Sequence, residues 1–240
     1  MRIAVVTPYF GEPVELLRTC HVSVTGQTRA GRHILVADGR PQAGVADWDA
    51  DHIILPHPHG DAGNVARGVG AMAAVGEGYD AVAYLDADNW YRSDHLATLS
   101  ELMESSGAQV CSSTRSLHAD DGTLLAPIDP GSDGLRHVDT NTLLIHRRAS
   151  DLLAFWCEMP HALAAVGDRL MLAAARARGH MVAHSPAPTV AYRTRWAYHY
   201  RKLGMPPPPG VKQDETTLHR SMVAWRAMAP AARRRLLRGA

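Results

Sequence analysis

In the stretch Ala81-Val82-Ala83-Tyr84-Leu85-Asp86-Ala87-Asp88-Asn89-Trp90, an apolar run of strand length stops at two aspartates spaced i, i+2. Along a strand such a pair projects to one side, so Asp86 and Asp88 converge just past its carboxyl end. Continuous apolar character suits a strand buried on both faces, as in a parallel sheet covered by helices. That end of an open α/β sheet is where ligands bind. Two like charges held together need a cation, and oxygen-only ligation favours Mg²⁺ or Mn²⁺. The plain alternative is a solvated turn, since Asp and Asn are ordinary turn formers.

The elements that must position this pair alternate along the chain. Ile3-Ala4-Val5-Val6-Thr7 reads as a buried strand ended by Pro8. A helix with Leu17, Cys20 and Val24 on one face follows, closing before Gly26. Residues 33–37 and 52–55 read as strands, and a helix with Val65, Val69 and Met72 inward leads to the strand at 81–85. Strands alternating with helices at this spacing predict a mostly parallel, Rossmann-like α/β sheet. Beyond it, Ser93 caps a helix carrying Leu96, Leu99 and Met103, and 109–112 and 138–145 are further strands. Between those two strands, 118–137 is rich in Asp, Gly and Pro and suits a functional loop or hairpin. A short helix at 149–158 precedes one near 162–178, with Gly179 as its cap. Past Ser185 the composition shifts: 192–202 is dense in aromatic and basic residues, and prolines 206–209 favour an extended segment. A helix with Leu218, Met222 and Trp225 on one stripe, and another from Pro230, finish the chain.

Composition bounds the rest. The 240 residues are 46% hydrophobic and 20% charged with a net charge of +1, so no global field argues for nucleic acid or an anionic membrane. Cys20, Cys111 and Cys157 are odd in number and lack CxxC spacing, which predicts buried thiols in a reducing compartment. The N-terminal apolar run is too short for a signal peptide, no stretch has the length of a membrane span, and a cytoplasmic location is expected.

Taken together, Thr7-Pro8-Tyr9-Phe10, Ser23-Val24-x-x-Gln27-Thr28, Val36-Ala37-Asp38-Gly39, Gly63-Asn64-x-x-Arg67-x-x-Gly70 and Leu85-Asp86-Ala87-Asp88 resemble, in order and spacing, the family 2 glycosyltransferases of GT-A fold. The likeness covers residues 1–95 well and 138–180 loosely. It implies a GT-A domain over 1–190, a lid-like segment over 191–213 and a helical extension over 214–240. It also implies transfer of a sugar, with inversion, from a nucleotide-sugar donor (UDP by family habit) to an acceptor hydroxyl, with Mg²⁺ or Mn²⁺. In such enzymes Asp38 would contact the base, Thr7 and Pro8 would lie beside it, and Arg67 would also reach it. Asp86 would face the ribose and Asp88 would bind the metal. The family's base stands at the start of a late helix, which matches Asp168. The family's Glu before that Asp is Gly167 here, and the periodicity puts Asp168 inside a helix rather than at its start. A late histidine often completes the metal site, giving His199 first and His184 second, and Lys212 would close over the diphosphate.

Other residues were open to two readings. Asp139 and Asn141, i, i+2 on a strand, either present hydrogen bonds to an acceptor or line the site behind Asp88. Asp61 either supports Arg67 or caps the helix after it. His57-Pro58-His59 looks like a metal pair but sits in a loop with a proline. The aromatics of 190–200 suit core or lid packing better than a sugar platform. The basic tail Arg233-Arg234-Arg235-Leu236-Leu237-Arg238 offers weak contact with anionic lipid or is a solvated helix end. The stripe of the last helices offers a homodimer face. Rival functions are a non-catalytic sugar-binding module and, less favoured by the residues after Asp88, an Asp-x-Asp phosphatase.

Overall fold

The structure is a computed structural model and describes residues 1–134, 137–213 and 216–239. Nine strands form one sheet in the order β3-β2-β1-β4-β8-β6-β9-β5, with β7 paired to β6. The first four of that path, β1 (Ile3–Tyr9), β2 (Gly31–Asp38), β3 (Asp51–Leu55) and β4 (Ala81–Tyr84), are mutually parallel, as the alternating pattern predicts. β8 (Leu143–His146) runs antiparallel to both β4 and β6 (Val110–His118), and β9 (Val182–Arg193) runs parallel to β6. β5 is only Trp90–Tyr91 and β7 only Leu124–Ala126, so the expected hairpin in 118–137 is a short one.

Side-chain alternation along β1 explains the layers. Ala4 and Val6 join a cluster with α2 (Asn64–Gly76), α4 (Ser150–Glu158) and α5 (Gly167–Ala177). Ile3 and Val5 join the opposite cluster with α1 (Val14–Thr25) and α3 (His95–Ser106). The same parity sends Thr7 toward α1 and Pro8 toward α2.

Several expected boundaries moved, each for a physical reason. β1 continues through Pro8 because β4 stops pairing at Val6, and a strand paired on one side tolerates a missing N–H. The buried face of α2 is Ala66, Gly68, Gly70, Ala71 and Ala74, while Met72 is exposed. Small residues let this helix sit close to the sheet: a Cβ on Gly70 would lie 2.6 Å from Val6 Cγ1. Ser93 is not the cap of α3; Asp94 occupies that place, and Ser93 instead accepts the Thr28 N–H through its carbonyl (2.8 Å). Asp139 to Thr142 is not strand but a 3-10 turn over Thr140–Thr142 that leads into β8. The helix expected near 162–178 is a 3-10 helix over His161–Val166 followed by α5. β9 runs past residue 190, where a lid-like segment was expected to begin, and α6 (Ala197–Lys202) follows it. Cys157 is exposed rather than buried.

The last helices, α7 (Thr216–Ala227) and α8 (Pro230–Arg238), fold back on their own chain, α7 on the 3-10 helix at 161–166 and α8 on α5. Leu218, Met222, Trp225, Leu236 and Leu237 pack on the α2 side of the core. The stripe read as a dimer face is therefore used within the chain.

If the α2 contact is as close as the glycines indicate, Gly70→Val should destabilise the fold by about 1–3 kcal/mol through overpacking, read as a lowered urea midpoint with unchanged slope.

Candidate active site

A cleft of about 1010 Å³ opens at the carboxyl ends of β1, β2 and β4. Its floor is the turn after β4. The Asn89 N–H donates to the Asp86 carbonyl (3.0 Å), so Asp86 to Asn89 forms a tight turn that presents both carboxylates to the cleft. Arg193 anchors it from β9 by donating from Nε to the Asp88 carbonyl (3.0 Å), and its N–H donates to Asn89 Oδ1 (2.8 Å).

The two carboxylates differ in environment. Asp86 accepts from Arg67 Nη2 at 2.5 Å on one oxygen and from Asn141 Nδ2 at 3.0 Å on the other. Among the described residues, Asp88 forms no ion pair of its own. Burial, and then the charge of Asp86, push its carboxyl up to about 6. Arg195 offsets part of this, yet its guanidinium is paired with Asp120 at 2.8 Å.

On the β1–β2 side, Pro8 and Asp38 line the cleft together with the loop Gly60–Gly63. Asp38 is 6% exposed and accepts from His59 Nδ1 (2.6 Å) and from the His59 N–H. This accounts for half of the His57/His59 pair, and not as a metal site. Gly63 (φ +79°) and Ala62 (φ +60°) are both left-handed, an unfavourable state for alanine. They bring the Ala62 carbonyl onto Arg67 Nη1 (2.8 Å). Asp61 caps α2, accepting from the Asn64 and Val65 N–H groups at 3.1 and 2.8 Å, so the capping reading is the right one. Thr7 is absent from the cleft wall. Its hydroxyl bonds His33 Nε2 (2.8 Å) on the α1 side, as the parity of β1 requires.

Behind the floor lies a group that local sequence does not announce. Arg115, 4% exposed on β6, bridges Asp129 (2.8 Å) and Asp139 and stacks over Tyr192 (3.9 Å). Asn141 then links this cluster to the turn: Nδ2 donates to Asp139 Oδ1 (2.5 Å) and Oδ1 accepts the Asp86 N–H (2.5 Å). These bonds hold Asp139 and Asn141 beside the turn, and Asp139 also lines the cleft.

Asp168 stands in the first turn of α5 and faces the cleft, because the 3-10 helix breaks immediately before Gly167. Its Oδ2 meets His137 Nε2 at 2.9 Å and its Oδ1 accepts the Arg169 N–H at 2.6 Å. Burial works against the His137 imidazolium, but the hydrogen bond and charge of Asp168, with Asp139 beyond, outweigh it and the histidine is raised. Sequence reasoning missed His137 as well as Arg115.

Lys212 lines the opposite wall, its ammonium 5.0 Å from the Trp196 ring centre and its N–H on the Arg195 carbonyl (2.7 Å). His199 also lies in the wall, but both nitrogens are engaged, Nδ1 with Thr194 Oγ1 (2.6 Å) and Nε2 with Arg115 Nη2 (3.5 Å). Burial, then Arg115, lower it to about 4, so its ring is neutral. His184 bonds Ser112 (2.9 Å) and does not line the cleft. Among the described residues, no three His, Cys, Asp or Glu side chains form a ready metal cage, and no helix is long and apolar enough to cross a membrane.

Comparison with known proteins places these features in a wider group. The sequence model described as "Glycosyl transferase family 2" matches residues 4–159. The Succinoglycan biosynthesis protein ExoW of Rhizobium meliloti (strain 1021) is 33% identical over 103 residues, 40% of this chain and 32% of that protein. The match thus spans about a third of that relative's length. Crystal structures of S. aureus TarS share the fold. TarS 1-349 in complex with UDP-GlcNAc superposes with TM-score 0.62 at 12% identity over 99% of this chain and 70% of that one. The complex with UDP gives 0.60 at 11% identity over the same shares.

Arg115 yields a test of the buried cluster. Burial opposes the charge on Asp129, but Arg115 and the Gly131 N–H overcome it and hold the carboxyl below its ordinary value. A depressed folded pKa contributes stability that is complete above the unfolded value of about 3.9 and is lost as pH falls through the folded one. Arg115→Met strands two buried carboxylates and should cost about 3–5 kcal/mol at neutral pH. That deficit should narrow below about pH 4, where the carboxylates take up protons, as measured by urea unfolding at both pH values.

Proposed function

The chain belongs to glycosyl transferase family 2, and from that membership we propose that its cleft binds a nucleotide sugar and transfers the sugar to an acceptor hydroxyl with inversion. The observation that carries the reading is the turn after β4, which offers one carboxylate paired with Arg67 and one raised by burial in the same cleft as Asp38 and Asp168. The fold match to TarS bound to UDP and to UDP-GlcNAc supports a UDP-linked donor.

In this reading Asp38 accepts from a base N–H beside Pro8, and Arg67 holds Asp86 toward the ribose. A carboxylate suits both tasks because it accepts from N–H and O–H donors. Asp88 fits a divalent cation, Mg²⁺ or Mn²⁺, because its carboxylate is desolvated beside a like charge and, among the described residues, is in no ion pair. Such an ion is commonly held by one or two carboxylates with substrate phosphates completing its shell, so a three-residue cage is not required. It would supply charge stabilisation to the departing diphosphate. A His199 ligand would need Nε2 released from Arg115, and the proposal does not require it. Lys212 adds positive charge at the diphosphate end, and Asp168 takes the acceptor's proton as its oxygen attacks the anomeric carbon.

Release of UDP from UDP-sugars, assayed with a panel of glycoside acceptors, tests this. The wild type should turn over at least one donor. Asp168→Asn should lower turnover by about 10²–10⁴-fold while UDP still binds. Binding without turnover in the wild type, for every donor, would instead identify a sugar-nucleotide-binding module.

A further inference from the structure

Asp168 is not alone at the acceptor side of the cleft. The His137 ring lies between two oxygen acceptors, Asp168 Oδ2 at 2.9 Å from Nε2 and the Gly131 carbonyl at 3.4 Å from Nδ1. Neither oxygen carries a proton when Asp168 is ionised, so only the doubly protonated ring satisfies both contacts. The arrangement is held from several sides. Asp133 Oδ1 accepts the His137 N–H (3.1 Å), and the Arg169 N–H fixes the other oxygen of Asp168.

We propose that His137 is a positioning residue for Asp168 and the final holder of the acceptor's proton, so that the two work as a dyad. The proposal rests on the glycosyl-transfer reading above. Before reaction the ring is neutral with its proton on Nδ1, bonded to Gly131, and Nε2 is open toward Asp168. As the acceptor oxygen bonds to the anomeric carbon, its O–H bond breaks and the proton passes to Asp168. The bond from that carbon to the diphosphate oxygen breaks, and its electron pair leaves with the nucleoside diphosphate. Asp168 then passes the proton to His137 Nε2, giving an imidazolium whose two N–H groups meet the carboxylate and the carbonyl across the 2.9 and 3.4 Å contacts. A lone carboxylate is a weak base near neutral pH, and catalysis favours a base whose pKa lies near the working pH. Sharing the proton with an imidazole meets that need.

The groups facing the ring agree with this direction. Asp168 from α5 and Asp139 ahead of the 3-10 turn favour its charge, Asp133 lies on its own loop, and Arg115 from β6 opposes it. The balance raises His137 above its ordinary value. A group so raised keeps its proton until pH rises through the shifted value, so activity, which needs the neutral ring, should fall on the acid side of that value.

Two readouts test the dyad. In protein labelled with ¹³C at histidine Cε1, the His137 resonance should titrate with a midpoint above about 6.5, and Asp168→Asn should lower that midpoint. A wild-type midpoint at or below about 6.5, or one that Asp168→Asn leaves unchanged, overturns the pairing, whatever the enzyme does. In UDP-release kinetics, His137→Gln keeps a neutral donor to Asp168 but stores no proton. It should lower kcat at least tenfold with donor KM retained, and should remove the acid-side step from the pH profile. The same step persisting in His137→Gln overturns the proton-holding role. Absence of turnover in the wild type with every UDP-sugar would count against the nucleotide-sugar reading alone, and the resonance titration would then decide the dyad.

Discussion

The structure depends on one charge-compensated chain, Arg67–Asp86–Asn141–Asp139–Arg115, that runs along the cleft floor. Its links join parts of the chain far apart in sequence, since Asn141 reaches back 55 residues to Asp86. A buried carboxylate without a partner would protonate or destabilise the fold. Here each acid of the chain has a guanidinium, an amide or both. The consequence is a rigid floor whose geometry is set before any ligand arrives, and preorganised polar groups are what a charged transition state requires.

Against that compensated background, Asp88 stands out. It shares a four-residue turn with Asp86 yet has no ion-pair partner among the described residues, and burial raises it to about 6. Two carboxylates two residues apart are thus driven to different roles by their surroundings. Asp86 is paired with Arg67 and bonded to Asn141. Asp88 keeps a raised carboxyl facing the same cleft. The α5 side of the cleft repeats the theme, with Asp168 tied to His137 and to the N–H of Arg169.

Much of this was legible in the sequence, and the failures have identifiable causes. The strands at 3–7, 33–37, 52–55 and 81–85 were readable because each is an apolar run closed by Pro, Gly or Asp. Asp86 and Asp88 could be placed at one cleft because strand ends in such a sheet converge, while Asp38 came from the family resemblance; all three line it. The inner face of α2 was not readable, since Ala and Gly carry no hydrophobic signal and their service is close approach to Val6 and Val36. The break before Asp168 was invisible because a 3-10 turn and an α-helix both repeat at three to four residues, so Leu163, Val166 and Leu170 run through it in apparent phase. Arg115 lies in the polar run Ser112-Ser113-Thr114-Arg115-Ser116, which reads as a strand's end and is instead buried strand. His137 has no local signal at all, because its partner is 31 residues away.

The most direct measurement is a calorimetric titration of UDP into the wild type and Asp88→Ala, with and without Mn²⁺. If Asp88 holds a divalent cation that supplies charge stabilisation to the diphosphate, UDP binds the wild type at least tenfold more tightly with Mn²⁺. Asp88→Ala then loses that enhancement while keeping the metal-free affinity that Asp38 and the loop at 60–63 supply. Equal Mn²⁺ enhancement in both proteins, or no binding of UDP under any condition, contradicts the role given to the turn after β4.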